Sequence, residues 1–182
     1  MSVQIDRILD DLIDREGGHA LDPRDAGGET TFGITIATAR SNGWTGPMQY
    51  LSRAFAREIY FRQYVTAPRF DDVTALSDAI GAEVIDTGVN MGPQVASRFL
   101  QRALNALNSN GMLYADLVVD GSVGDATIEA LYQYLRKRAS DGERVMLAAL
   151  NSLQGERYIS LAEARAANEA FVFGWLRARV TA

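Results

Sequence analysis

Apolar residues recur at helical spacing along most of this chain, and a glycine or proline closes nearly every run. Ile5, Ile8, Leu9, Leu12 and Ile13 share one helical face, while Asp6, Arg7, Asp10, Asp11 and Asp14 fill the other. Gly17-Gly18 supplies the stop. A short helix over 36–40 ends at Asn42-Gly43, and Pro47 opens a longer stretch with Leu51, Ala54, Phe55, Ile59 and Tyr60 on one side. Pro68 closes that stretch. Apolar residues between 76 and 89 again keep helical spacing, until Gly92-Pro93 breaks them. The next helix turns Val95, Phe99, Leu100, Ala103, Leu104 and Leu107 inward. After the turn Asp120-Gly121-Ser122-Val123-Gly124, a helix carries Ile128, Leu131, Tyr132 and Leu135 inward. A charged link over 136–144 and two helices, 145–158 and 164–180, complete the chain. One segment departs from this rhythm: residues 30–35, Thr-Thr-Phe-Gly-Ile-Thr, read as a short strand. The expected class is mainly α (α+β), with a small β element near the N-terminus.

Bulk properties narrow the partners. The 182 residues suffice for one ordinary domain or two small lobes. With no cysteine there is neither a disulfide framework nor a thiolate metal site, and a single histidine leaves zinc only carboxylates to rely on. No metal or other cofactor is implied. A net charge of −5 without a basic stripe argues against nucleic acid as the main partner. The first sixteen residues mix Asp and Arg with apolar residues, unlike a signal peptide or a membrane span. The expectation is a monomer without a stable membrane anchor, soluble in the cytoplasm until something else delivers it.

Chemistry concentrates near the N-terminus. Glu16 falls at the end of the first helix, and the turn-rich run after it carries Asp22 and Asp25. Cleavage of a glycosidic bond needs one protonated carboxyl group for the leaving oxygen, and usually a second, ionised one to activate water or stabilise charge on the sugar. Burial and the negative end of a helix dipole both favour a carboxyl that keeps its proton. The spacing admits Glu16 as general acid, Asp25 as base or electrostatic partner and Thr31 as holder of a water, with Asp22 and Glu29 in reserve, and equally admits a solvated helix-end glutamate, turn-forming aspartates and a plain strand threonine.

The run from Glu16 to Thr35, with Glu16-Gly17-Gly18, Asp22-Pro23, Gly27-Gly28, Thr30 and Gly33-Ile34-Thr35, resembles the N-terminal signature of glycoside hydrolase family 108, the phage-type N-acetylmuramidases. Histidine stands at position 19 where that family usually has tyrosine, and Thr31-Phe32 replaces the usual Asn-Tyr. The resemblance implies that Glu16 is the catalytic acid and that His19 lines the sugar cleft. The Glu16, Asp25, Thr31 spacing is also similar to the Glu–Asp–Thr triad of phage-type lysozymes. The resemblance further implies a lysozyme-like, two-lobed helical fold, with a catalytic lobe over 1–69 and a helical lobe over 70–182. The implied activity is hydrolysis of the β-1,4 bond between N-acetylmuramic acid and N-acetylglucosamine of bacterial peptidoglycan. The implied setting is a phage endolysin, bacteriolytic and released for host lysis through a holin or a secretion device. A lytic transglycosylase and a non-catalytic wall-binding module are the alternatives.

The second half, through Asp86-Thr87-Gly88-Val89-Asn90-Met91-Gly92, Leu100 to Asn105 and the 120–124 turn, resembles the predicted peptidoglycan-binding region that commonly accompanies this motif. The neutral amides of Asn90 and Gln101 suit sugar hydroxyls and acetamido groups, or else a helix cap and an exposed helix position. Trp44, in a glycine-rich turn, is the better stacking platform for a sugar ring. Tyr60 and Tyr64 are read as core. Phe171, Phe173 and Trp175 with Arg165, Arg177 and Arg179 are read as a core helix with solvated arginines, or as a membrane-touching face.

Overall fold

The structure, a computed structural model, describes residues 3–20 and 29–180. It is mainly helical, with one three-stranded antiparallel sheet close to the N-terminus. The chain divides into two compact units between Ala67 and Pro68.

In the first unit, α1 (Val3–Glu16) buries Ile5, Leu9, Leu12 and Ile13 and packs on α3 (Arg53–Phe61). The acidic face of α1 is oriented as well. Asp10 and Asp14 pair with Arg53, and Asp6 pairs with Arg57, so carboxylates and guanidiniums spaced four residues apart lock the two helices in register. Ser52 caps α3, accepting from the Phe55 amide at 3.2 Å. Past Phe61 the backbone widens into a π-helix, Arg62–Thr66, and the Ala67 amide donates five residues back to the Arg62 carbonyl at 2.8 Å.

Residues 30–35 form a hairpin in place of the expected single strand. β2 (Thr30–Thr31) and β3 (Ile34–Thr35) pair antiparallel, Thr31 opposite Ile34, around a two-residue turn. Phe32 (φ 51°) and Gly33 (φ 72°) both take positive φ, as the tight twisted hairpin requires. Phe32 is an unusual occupant of such a turn, which is why the run reads as strand. β1 (His19–Ala20) pairs with β2, His19 opposite Thr31. Thr35 then caps α2 (Ile36–Ser41).

The second unit is all helix among the described residues: α4 (Phe70–Leu76), α5 (Asp78–Met91), α6 (Pro93–Leu107), α7 (Asp125–Ala164) and α8 (Glu169–Arg179). Its core contains Phe70, Ile85, Leu100, Leu104, Leu131, Tyr134 and Met146. Pro93 sits in the first turn of α6, where a missing N–H costs nothing. The expected link over 136–144 is helical apart from one break at Ala139 (φ 51°, ψ −142°), which the Tyr134 hydroxyl bridges to the Gly142 carbonyl at 2.9 Å. On α7, Tyr134 is buried and Tyr132 is exposed, the reverse of the expected inward role of Tyr132. α8 packs Trp175 on Tyr158, with ring centres 5.3 Å apart, and leaves Phe171 and Phe173 exposed. No helix among the described residues is long and apolar enough to cross a membrane.

Candidate active site

Glu16 is the last residue of α1, and the chain leaves it through Gly17 at φ 75°. That left-handed residue is the natural helix stop. The Glu16 carboxyl lies against the hairpin turn. A Cβ added at Gly33 would sit 2.5 Å from Glu16 Oε2 and 2.7 Å from the Tyr60 hydroxyl, so both groups converge on one point over the glycine. The Tyr60 hydroxyl donates to the Phe32 carbonyl at 2.8 Å, which ties α3 to the same turn. Tyr64 stacks on Tyr60 at 6.0 Å between ring centres, brought under it by the π-helix. Burial first, and the facing Glu16 carboxylate second, push both phenols above their ordinary range. A phenol is neutral at pH 7 in any case, and the shift carries both further from titration. The result is an exposed carboxyl group beside Gly33 and the Tyr60 hydroxyl, with Tyr64 near enough to respond to its charge.

His19 lies on the outer strand, exposed, with Nε2 2.8 Å from Glu29 Oε1. Its diagonal placement across β1 and β2 makes that pair possible. Thr31 does not present its hydroxyl to solvent. The residue is 3% exposed and donates to the Met48 carbonyl at 2.8 Å, because its face of the hairpin turns into the core beside Ile34. That placement gives Thr31 a tethering role and offers no support for a water-holding one. Asp22 and Asp25 lie outside the described residues, on the segment joining β1 to β2.

The other expected binding residues have partners within their own units. Trp44 forms a separate cluster with Phe55, ring centres 5.3 Å apart, and its indole N–H points at the Pro47 carbonyl at 3.4 Å. Asn90 is exposed on α5 and donates back to the Asp86 carbonyl at 2.6 Å. Gln101 is neither exposed nor free for a sugar. It is 2% exposed, donates to Asp120 Oδ1 at 2.8 Å and to the Ser122 carbonyl at 2.9 Å, and accepts from the Gly121 amide at 2.9 Å. Both ends of its amide serve the 120–124 turn, so its proposed role in substrate binding gives way to a structural one. The hydrogen bond from Gln101 and the Ser122 amide hold Asp120 below the usual carboxylate range.

Helical spacing reads Tyr60 and Tyr64 as core and strand patterning absorbs Gly33, so neither singles out these residues. The available signal is the Phe-Gly pair between two threonine-containing dipeptides, which fits a hairpin as well as a strand.

The described geometry is thus one carboxyl group at a helix end, set against a hairpin turn in a mainly helical fold. Comparison with known proteins finds two family models that each match part of the chain. Residues 9–92 match the model of Glycosyl hydrolase 108, and residues 95–180 match that of a Predicted Peptidoglycan domain. The chain thus carries a region similar to glycoside hydrolases followed by one similar to a predicted peptidoglycan domain. Among solved structures, that of Brucella abortus SagA matches 96% of this chain and 94% of its own, at 23% identity and a TM-score of 0.50, a likeness of fold. No curated protein matches.

Proposed function

We propose that the chain is an N-acetylmuramidase that cleaves the β-1,4 bond between N-acetylmuramic acid and N-acetylglucosamine, and that Glu16 is its general acid. The carrying observation is the Glu16 carboxyl set over Gly33 and Tyr60 inside the segment that matches Glycosyl hydrolase 108. In the reaction the Glu16 proton passes to the bridging oxygen as the C1–O bond breaks, and positive charge develops on the muramic acid ring. Water attacks C1 and gives up its proton to a second carboxylate, for which the sequence nominates Asp25. The biological reading is an endolysin of phage type that waits for a holin or a secretion device to reach the wall.

Clearing of bacterial cell walls, with mass analysis of the fragments, tests this. Glu16→Gln should lower the rate by about a hundred- to ten-thousand-fold, and Asp25→Asn should also slow it. Wild-type fragments should end in reducing sugars. Equal rates for wild type and Glu16→Gln would reject Glu16 as the acid. Fragments ending in 1,6-anhydro sugars would replace hydrolysis with a lytic transglycosylase, which uses an internal hydroxyl in place of water.

A further inference from the structure

A groove of about 400 Å³ runs along the first part of α7, within the second unit. Met112 and Leu113 form one wall. The other is a stripe of α7 residues spaced i, i+3, i+4, i+7 and i+8: Glu129, Tyr132, Gln133, Arg136 and Lys137. That spacing normally carries the apolar face of a helix. Here it carries polar groups and an aromatic ring, and it faces solvent, since Tyr132 is 45% exposed and Met112 83%.

The opposite wall is held in place. The Gly111 amide donates to Asn108 Oδ1 at 3.0 Å, the Leu113 amide donates to the Asn108 carbonyl at 3.2 Å, and Arg138 donates to the Ser109 hydroxyl at 2.6 Å. Ser109, Asn110 and Gly111 all take positive φ in that loop. The groove is therefore a preformed feature, with a volume in the range of small-ligand sites.

Its charge is selective. Arg53, Arg57, Arg62, Arg69 and Arg144 each pair with an acidic side chain. Among the described residues Arg136 and Lys137 have no ion-pair or hydrogen-bond partner, and the one acidic residue of the stripe, Glu129, accepts from Gln133 at 2.8 Å. With two cations against one carboxylate the stripe keeps a net positive charge on a protein of net charge −5, which favours an anionic ligand. An exposed tyrosine beside them offers a flat face for the apolar side of a sugar ring.

We infer that this groove binds the anionic stem peptide of peptidoglycan together with its adjoining sugar, Arg136 and Lys137 holding carboxylates and Tyr132 stacking on the ring. The inference rests on the proposed peptidoglycan-cleaving function, and it gives the matched Predicted Peptidoglycan domain a specific surface. Uncharged glycan alone would leave both cations without a counter-charge. An anionic lipid surface is the competing partner for the same groups.

Sedimentation of the full-length Glu16→Gln protein with purified insoluble sacculi tests it, because that variant binds without digesting its target. Intact sacculi should retain the protein in a salt-sensitive manner. Sacculi stripped of stem peptides by an amidase, which keep only the lactyl carboxylate that the cut frees on each muramic acid, should retain it more weakly. Adding Arg136→Glu and Lys137→Glu should weaken retention on intact sacculi at least about fivefold, and Tyr132→Ala should weaken it on both kinds. Arg136→Gln with Lys137→Gln, checked by circular dichroism, serves should the reversed charges disturb the helix. Retention of the charge variants equal to that of their parent would overturn the groove while leaving the peptidoglycan reading intact. Retention by phosphatidylglycerol vesicles that the same variants abolish, with no loss on sacculi, would hand the groove to a lipid. Failure of the Glu16→Gln protein to sediment with any sacculi would overturn both.

Discussion

At the residue scale, Gly33 decides where the Glu16 carboxyl can be. Its φ of 72° is one that L side chains rarely adopt, and the space a side chain would need is already taken by Glu16 Oε2 and the Tyr60 hydroxyl. Gly33→Ala should therefore do two separable things. The left-handed strain should cost about 1–2 kcal/mol of stability. The added methyl should push the carboxyl off the turn and slow wall clearing by an order of magnitude or more, since small misplacements of a catalytic group are expensive in rate. Thermal unfolding and clearing rates measured side by side separate the two, and a variant of lowered melting temperature but undiminished rate would show that the turn does not position the acid. Thr31 illustrates the opposite case. A threonine six residues after an aspartate invites a water-holding role, yet its hydroxyl faces Met48 in the core.

At the element scale, pairings between segments distant in sequence hold the site. The α1–α3 ladder aligns the helix that ends in Glu16 with the helix that carries Tyr60, although its ion pairs are at least partly exposed and each is weak by itself. The hairpin is fastened from both sides, by Thr31 to Met48 and by Tyr60 to Phe32. In the second unit the buried amide of Gln101 organises the 120–124 turn. Replacing it with leucine keeps the volume but strips the Gly121 amide of its acceptor and the Ser122 carbonyl of one of its two donors. Gln101→Leu should destabilise the second unit by about 2–3 kcal/mol. In urea this would appear as a lower midpoint with an unchanged slope. An unchanged midpoint would mean that water replaces the amide without loss.

At the scale of the whole molecule, the family boundary and the packing boundary fall in different places. The Glycosyl hydrolase 108 match runs to residue 92, whereas the second compact unit begins at Pro68. Helices α4 and α5 therefore lie in the hydrolase match yet pack with α6 and α7. Phe70 lies under Gly88, Gln154 donates to Thr87 at 3.0 Å, and Ser77 donates to Glu143 at 2.6 Å. A fragment of residues 95–182 lacks these partners and exposes the faces of α6 and α7 that α5 covers. It should lose a cooperative unfolding transition, while a fragment of residues 68–182 should retain one. Calorimetry of the two fragments checks this, and a sharp transition in the shorter one would make the peptidoglycan region an independent module.

Much is legible in the chain itself. Apolar spacing places α1, α5 and α6, and the Gly-Gly and Gly-Pro breaks mark their ends, because helix period and backbone stops are local properties. The glutamate beside two glycines is legible for the same reason, as is the family resemblance carried by a contiguous run. Contacts between distant residues are not. The hairpin in 30–35, the inward Tyr134 and outward Tyr132, the saturation of Gln101 and the convergence of Gly33 and Tyr60 on Glu16 all depend on which surfaces meet after folding. Local sequence decides that a carboxyl group ends a helix; only the packed chain decides what stands opposite it, because the energy of that meeting belongs to neither segment alone.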